Sequence, residues 1–125
     1  KVAAYLRDHP KIKNVWYLDF LPTGHPDRPI HERQNKSAGS TFSFEIKGGE
    51  AEAFRLLDKL QLIKLAVSLG GTETLASHPA STTHSGVPAA DLARYSITPG
   101  LIRISIGIED PDDLISDLRE ALEAV

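Results

Sequence analysis

Thr41-Phe42-Ser43-Phe44-Glu45-Ile46 is the stretch on which the fold turns. Phe42, Phe44 and Ile46 alternate with Thr41, Ser43 and Glu45, and a period of two puts the apolar set on one face of a β-strand. That face belongs to a core, and the polar face meets water or a partner. Gly48-Gly49 breaks the strand. From Glu50 to Leu60, Ala53, Phe54, Leu57 and Leu60 then recur on one helical stripe with Glu52, Arg55 and Lys59 off it, which predicts an amphipathic helix lying on the sheet.

Working outward, Leu101 to Ile106 repeats the strand pattern, with Ile102, Ile104 and Ile106 on one face and Leu101, Arg103 and Ser105 on the other. The last helix has a legible start. Asp110 caps it, Pro111 takes the first turn, Asp112 and Asp113 sit at the positive end of the dipole, and Leu114, Ile115, Leu118 and Leu122 form its buried stripe. Toward the N-terminus, Lys1 to Asp8 reads as a helix stopped by His9-Pro10, and Ile12 to Leu18 as a strand rich in aromatic and β-branched residues. Leu21 to Pro29 carries three prolines and a glycine and reads as a loop, followed by a short polar helix over Ile30 to Lys36. Ile63 to Val67 is a short apolar segment, Thr74 to Ser77 a further strand ended by Pro79, and Pro88 to Tyr95 a helical turn or two after an irregular loop. Four strands joined by helices or long loops make an α+β layer with helices on one sheet face, leaving Thr41, Ser43, Arg103 and Ser105 on an open one.

The 125 residues suit a single domain, and 41% hydrophobic against 25% charged residues is ordinary for a globular chain. A net charge of −3 and no basic cluster argue against nucleic acid or an anionic membrane as partner. With no cysteine there is neither a disulfide framework nor a thiolate metal site, which fits a reducing, cytoplasmic compartment. No apolar run approaches the ~20 residues of a membrane span, and no signal-peptide pattern opens the chain. The sequence starts at Lys1 inside a helix without a capping residue, which predicts a piece of a longer protein.

Chemistry concentrates in Val67 to Gly86, dense in glycine, hydroxyl and histidine residues, and at Arg103. A guanidinium in a strand of isoleucines needs a planar acceptor, either a ligand carboxylate bound two-pronged or a protein acid such as Glu45 or Glu109. Ser68, ahead of Leu69-Gly70-Gly71, offers a hydroxyl and nearby main-chain amides to an anion, or simply forms a turn. His78 and His84 lack an acid or cysteine at metal-ligand spacing, so they are expected to satisfy hydroxyl or backbone groups around their loop. Ser81, Thr82 and Thr83 beside His84 lack the Gly-x-Ser-x-Gly elbow of an acyl-transfer nucleophile, and Gly70-Gly71-Thr72 lacks the lysine of a phosphate loop.

Three ordered segments, Ser68-Leu69-Gly70-Gly71-Thr72-Glu73-Thr74-Leu75, His78-Pro79-Ala80-Ser81-Thr82-Thr83-His84 and Leu101-Ile102-Arg103-Ile104-Ser105-Ile106-Gly107-Ile108-Glu109, resemble the C-terminal domain of the Cys/Met-metabolism family of pyridoxal-phosphate enzymes. The resemblance extends over Gly39 to Gly49 and the closing helix, and so over nearly the whole chain. It implies the small, mostly antiparallel C-terminal domain of a fold-type I enzyme, occupying residues 1–125, with the cofactor domain elsewhere. It further implies that Arg103 binds the α-carboxylate of an amino-acid substrate, helped by Ser68, Leu69 and Thr83. None of the seven lysines stands in the Ser/Thr-rich context of the family's Schiff-base lysine, so no catalytic, cofactor-binding or metal-binding residue is assigned here and the chain alone is expected to be inactive. Val67 is apolar where several cystathionine-handling members carry an acid, a pattern similar to methionine γ-lyase. A homoserine-ester sulfhydrylase or cystathionine γ-synthase is the alternative within the family, and a freestanding interaction module the alternative outside it. The resemblance implies a homotetramer for the complete enzyme.

Overall fold

β2 (Thr41–Ile46) falls where its alternation places it and pairs antiparallel on both sides, with β1 (Ile12–Trp16) and with β5 (Leu101–Ser105). The computed structural model describes residues 1–125. Beyond β5 lie β4 (Leu75–Ser77), also antiparallel, and β3 (Lys64–Leu65), which runs parallel to β4, giving the order β1-β2-β5-β4-β3. The fifth strand is an addition to the four read from the sequence, and the mostly antiparallel α+β architecture stands. Five helices complete the chain: α1 (Val2–Arg7), α2 (Arg28–Gln34), α3 (Glu50–Lys59), α4 (Ala89–Arg94) and α5 (Pro111–Glu123).

The core forms where α1, α3 and α5 cover one sheet face. Phe42, Phe44, Ile46, Ile102, Ile104 and Ala76 from the strands meet Leu6, Ala53, Leu56, Leu57, Leu114, Leu118 and Leu122 from the helices. Each fully buried aliphatic or aromatic side chain here contributes roughly 1.5–3 kcal/mol of transfer free energy. On α3 the buried set is Ala53, Leu56 and Leu57. Phe54, assigned to the stripe from sequence, is instead half-exposed and meets the His78 ring edge-on at 5.0 Å. α5 starts as its sequence dictates, with the Asp112 amide donating to the Asp110 carboxylate at 2.8 Å. Its last turn is closed by Lys11, whose Nζ donates to the Leu122 and Val125 carbonyls at 2.7 and 2.8 Å.

One charged group sits within this helical layer. Asp117 of α5 is 8% exposed, and its carboxylate accepts from the amides of Gln61 (2.8 Å), Leu62 (3.0 Å) and Ile63 (2.8 Å). It satisfies the backbone where the chain leaves α3 and turns into β3, and so sets the path of everything up to Val67.

The second sheet face departs from the expectation of an open surface. Thr41 is exposed and Ser43 and Arg103 are half-buried, but Ser105, Ser77 and Glu45 are buried. Over Arg103 and Ser105 the cover is the segment between β3 and β4, which leaves the sheet edge and folds back across β5.

Candidate functional site

Arg103 lies mid-strand in β5, with Ser43 of β2 and Ser77 of β4 as its Cα partners on either side, and Trp16 of β1 opposite Ser43. Trp16, Ser43, Arg103 and Ser77 therefore form one row across the sheet, on the face away from the helices. Above the row crosses the arm 67–74. Arg103 Nη2 donates to the main-chain carbonyls of Val67 and of Ser68, the latter at 3.2 Å. Two residues along the strand, Ser105 Oγ accepts from the Gly70 amide at 2.8 Å. Gly70 has a φ of +74°, a left-handed conformation that glycine adopts without a Cβ penalty, and this turns its amide toward the sheet. Two same-face side chains of β5 thus pin the arm.

The far end of the arm is tied to the segment after β5. Glu109 accepts from the Thr74 amide (2.6 Å) and the Thr74 hydroxyl (2.7 Å), and the same hydroxyl accepts from the Gly107 amide at 2.9 Å. The Ile108 amide donates to the Thr72 carbonyl at 2.9 Å. Partial desolvation alone would raise the Glu109 pKa, but the hydrogen bonds from Thr74 and from its own backbone outweigh it and hold the carboxyl below its ordinary value. Gly107 is required at this junction, because a Cβ there would lie 2.6 Å from the Glu73 carbonyl carbon and against the Thr72 carbonyl oxygen.

The two acids considered as protein partners for Arg103 are both engaged elsewhere. Glu45 pairs with Lys13 at 3.0 Å and Glu109 holds Thr74. No carboxylate of the chain reaches the guanidinium, whose Nε and Nη1 donate to nothing in the protein. The amides of Ser68 and Leu69 likewise have no acceptor within the chain. Val67 and Leu69 stand exposed beside them. The arm therefore turns two carbonyls toward Arg103 while the Ser68 and Leu69 amides, like those of Val67, Gly71, Thr72 and Glu73, have no acceptor in the chain, a division of main-chain roles that residue types do not encode.

The remaining candidates separate from this site. Thr83 is exposed, its hydroxyl bonded to His84 Nδ1 at 2.7 Å, with no hydrogen bond to Arg103 or the arm. His78 is buried: Nε2 donates to the Pro99 carbonyl at 2.7 Å and Nδ1 meets Ser81 Oγ at 2.8 Å. The Thr82 hydroxyl donates to the His78 carbonyl at 2.7 Å. The hydroxyls and imidazoles of the 78–84 loop thus satisfy one another and the backbone, and no carboxylate orients His78 as a base for Ser81. No lysine is a strand or hydrogen-bond neighbour of Arg103: Lys11 caps α5, Lys13 pairs with Glu45, and Lys1, Lys47 and Lys64 bond Asp112, the Pro10 carbonyl and the Gln61 carbonyl.

The site is thus a half-buried arginine under a glycine-rich arm, with no acid of the chain to neutralise it. The family model described as Cys/Met metabolism PLP-dependent enzyme matches residues 1–123, and the chain belongs to that family. Among its relatives, an L-methionine gamma-lyase of Fusobacterium nucleatum subsp. polymorphum is 46% identical over all of this chain and 31% of its own length. A cystathionine beta-lyase of Coxiella burnetii is 43% identical over 98% of this chain and 31% of its own. The crystal structure of a cystathionine gamma-lyase from Micromonospora echinospora superposes with a TM-score of 0.89 at 39% identity, covering 99% of this chain and 32% of that one. A Campylobacter jejuni protein assigned as an O-acetylhomoserine (thiol)-lyase, which carries N′-pyridoxyl-lysine-5′-monophosphate, does so with a TM-score of 0.88 at 40% identity, covering 98% of this chain and 29% of that one. The chain thus spans about a third of the length of the relatives it matches.

Proposed function

We propose that residues 1–125 are the substrate-carboxylate-binding domain of a longer pyridoxal-phosphate-dependent enzyme of sulfur amino-acid metabolism, acting by γ-elimination or γ-replacement in the manner of a methionine γ-lyase. The observation that carries this reading is Arg103, half-buried on the sheet face with no protein acid to pair with. A substrate α-carboxylate would take the guanidinium two-pronged, and the free amides of Ser68 and Leu69 supply two further donors to the same anion. Val67, exposed and apolar, faces the distal end of the substrate and favours an uncharged one. Thr83, whose hydroxyl bonds His84 and neither Arg103 nor the arm, enters this reading only as a polar neighbour of the bound substrate. The cofactor, held by residues outside this chain, supplies an electron sink for carbanions at Cα and Cβ, and the residues here bind and orient the substrate. The complete enzyme is a cytoplasmic homotetramer in this reading. A homoserine-ester sulfhydrylase is the second reading, favoured by 37% identity to an O-succinylhomoserine sulfhydrylase of Pseudomonas aeruginosa.

The test uses the full-length protein. It should absorb in the visible as a pyridoxal-phosphate enzyme, and Arg103→Ala should raise the Kd for amino acids by roughly 10²-fold while leaving cofactor absorption intact. Arg103→Lys keeps the charge, loses the fork and should recover only part of the affinity. A colourless protein, or amino-acid affinity unchanged in Arg103→Ala, overturns the proposal. Turnover of methionine, cystathionine and homoserine esters side by side separates the two enzyme readings.

A further inference from the structure

The row through Arg103 ends in a buried hydroxyl with nothing to bond. Ser77 is 2% exposed and is the Cα partner of Arg103 on β4, yet its Oγ has no hydrogen-bond partner. A buried polar group left unpaired is costly, and native chains satisfy nearly all of them. The other hydroxyls near the arm are accounted for: Ser105 takes Gly70, Thr74 takes Glu109 and Gly107, and Ser43, opposite Arg103 on the other flank, is half-open to water. Of the hydroxyls in this row and under the arm, only that of Ser77 has neither solvent nor partner; the chain's other unpaired buried hydroxyl, Thr98, lies outside the strands. Cross-strand side chains directly opposite one another have Cβ atoms about 4.5–5.5 Å apart, which puts the serine oxygen within reach of the inner part of an arginine side chain.

We propose that Ser77 is a positioning residue for Arg103: its hydroxyl accepts from Arg103 Nε–H when a carboxylate ligand draws the guanidinium off the Val67 and Ser68 carbonyls. This rests on the reading of Arg103 as the carboxylate-binding residue. The guanidinium bonds the two carbonyls through Nη2, and Nε has no acceptor. A ligand carboxylate competes with those carbonyls for the fork. Once it wins, Nε needs an acceptor and Ser77 needs a donor, and they are strand partners. The hydroxyl that has no partner while the fork sits on the carbonyls gains one when the fork turns to a carboxylate, so its pairing adds to affinity and to the direction in which the fork points.

The experiment compares Ser77→Ala, Ser77→Thr and Arg103→Ala in the full-length, cofactor-loaded protein. Glycine, which has no side chain to eliminate, and methylamine, its counterpart without the carboxylate, are titrated against the cofactor's visible absorption, with thermal unfolding measured in parallel. Expected for Ser77→Ala is a roughly three- to tenfold weaker glycine Kd, unchanged methylamine binding and a Tm equal to or above that of the parent, because the hydroxyl removed bonds nothing in the free state. KM for a turned-over amino acid should rise by the same factor with kcat changed less than about twofold. Ser77→Thr, which keeps the oxygen, should restore glycine affinity. Unchanged glycine binding in Ser77→Ala beside a large loss in Arg103→Ala overturns the role of Ser77 and leaves the carboxylate reading standing. Loss of glycine and methylamine binding together with a lowered Tm shows a merely structural serine and also overturns it. Unchanged glycine binding in Arg103→Ala removes the reading on which the inference rests.

Discussion

Replacing Asp117 with alanine removes the acceptor for three consecutive amides, Gln61, Leu62 and Ile63. Ile63 is 1% exposed, so its N–H finds no water, whereas the amides of Gln61 and Leu62 lie in exposed residues and are partly rescued by solvent. Hydrogen bonds to a charged acceptor are worth roughly 1.5–3 kcal/mol each. Taking one at full value and two at a discount gives a loss of about 3–5 kcal/mol for Asp117→Ala. Asp117→Asn is the informative companion. Its carbonyl oxygen replaces Oδ2, which serves Leu62 and Ile63, and its amide nitrogen then faces the Gln61 N–H as a second donor. Only one bond is lost, and the expected cost falls to about 1–2 kcal/mol. Urea unfolding gives both numbers, provided the m-value is unchanged. Two variants of equal stability, or an alanine variant within about 1 kcal/mol of the parent, would refute the claim that Asp117 holds the α3-to-β3 turn by accepting from its backbone.

Two further outcomes follow from the arm. Because Glu109 is held below its ordinary pKa, the stability it lends is fully present above the usual carboxylate range and is lost as pH falls through the lowered value. Hydrogen exchange at the Thr74 and Gly107 amides, corrected for intrinsic rates, should accelerate on acidification in that window, and Glu109→Gln should remove the pH dependence. Gly107→Ala places a methyl against the Thr72 and Glu73 backbone, so it should destabilise by about 1–3 kcal/mol or more and release the arm, seen as faster exchange at Ile108.

What the sequence disclosed and what it hid divide along physical lines. β2, β5 and the start of α5 were legible because alternation and capping are written in adjacent side chains, and the structure places them within a residue of those readings. β3 was not, since two exposed residues held by backbone bonds show no alternation. Phe54 and Leu56 exchanged places because a stripe fixes a face but not its centre, and the His78 ring draws Phe54 to the rim. Asp117 did leave a signal: it lies between Leu114, Leu118 and Ala121 on the buried side of α5, where an acid needs partners. Its partners lie more than fifty residues away in sequence and could not be named in advance. Arg103 was found from its isoleucine neighbours. The covering of its face was not, because the contacts that make it run from side chains to main-chain groups of the arm.

That last property bears on how such a domain can diversify. The guanidinium rests on the carbonyl oxygens of Val67 and Ser68, atoms common to every residue type, while the Val67 side chain is exposed. A mutation at position 67 can therefore change the exposed surface beside Arg103 without removing the carbonyls on which its guanidinium rests. Selection is free to vary that side chain while inheriting the main-chain seat of the arginine intact, because the seat is written in atoms that no substitution removes.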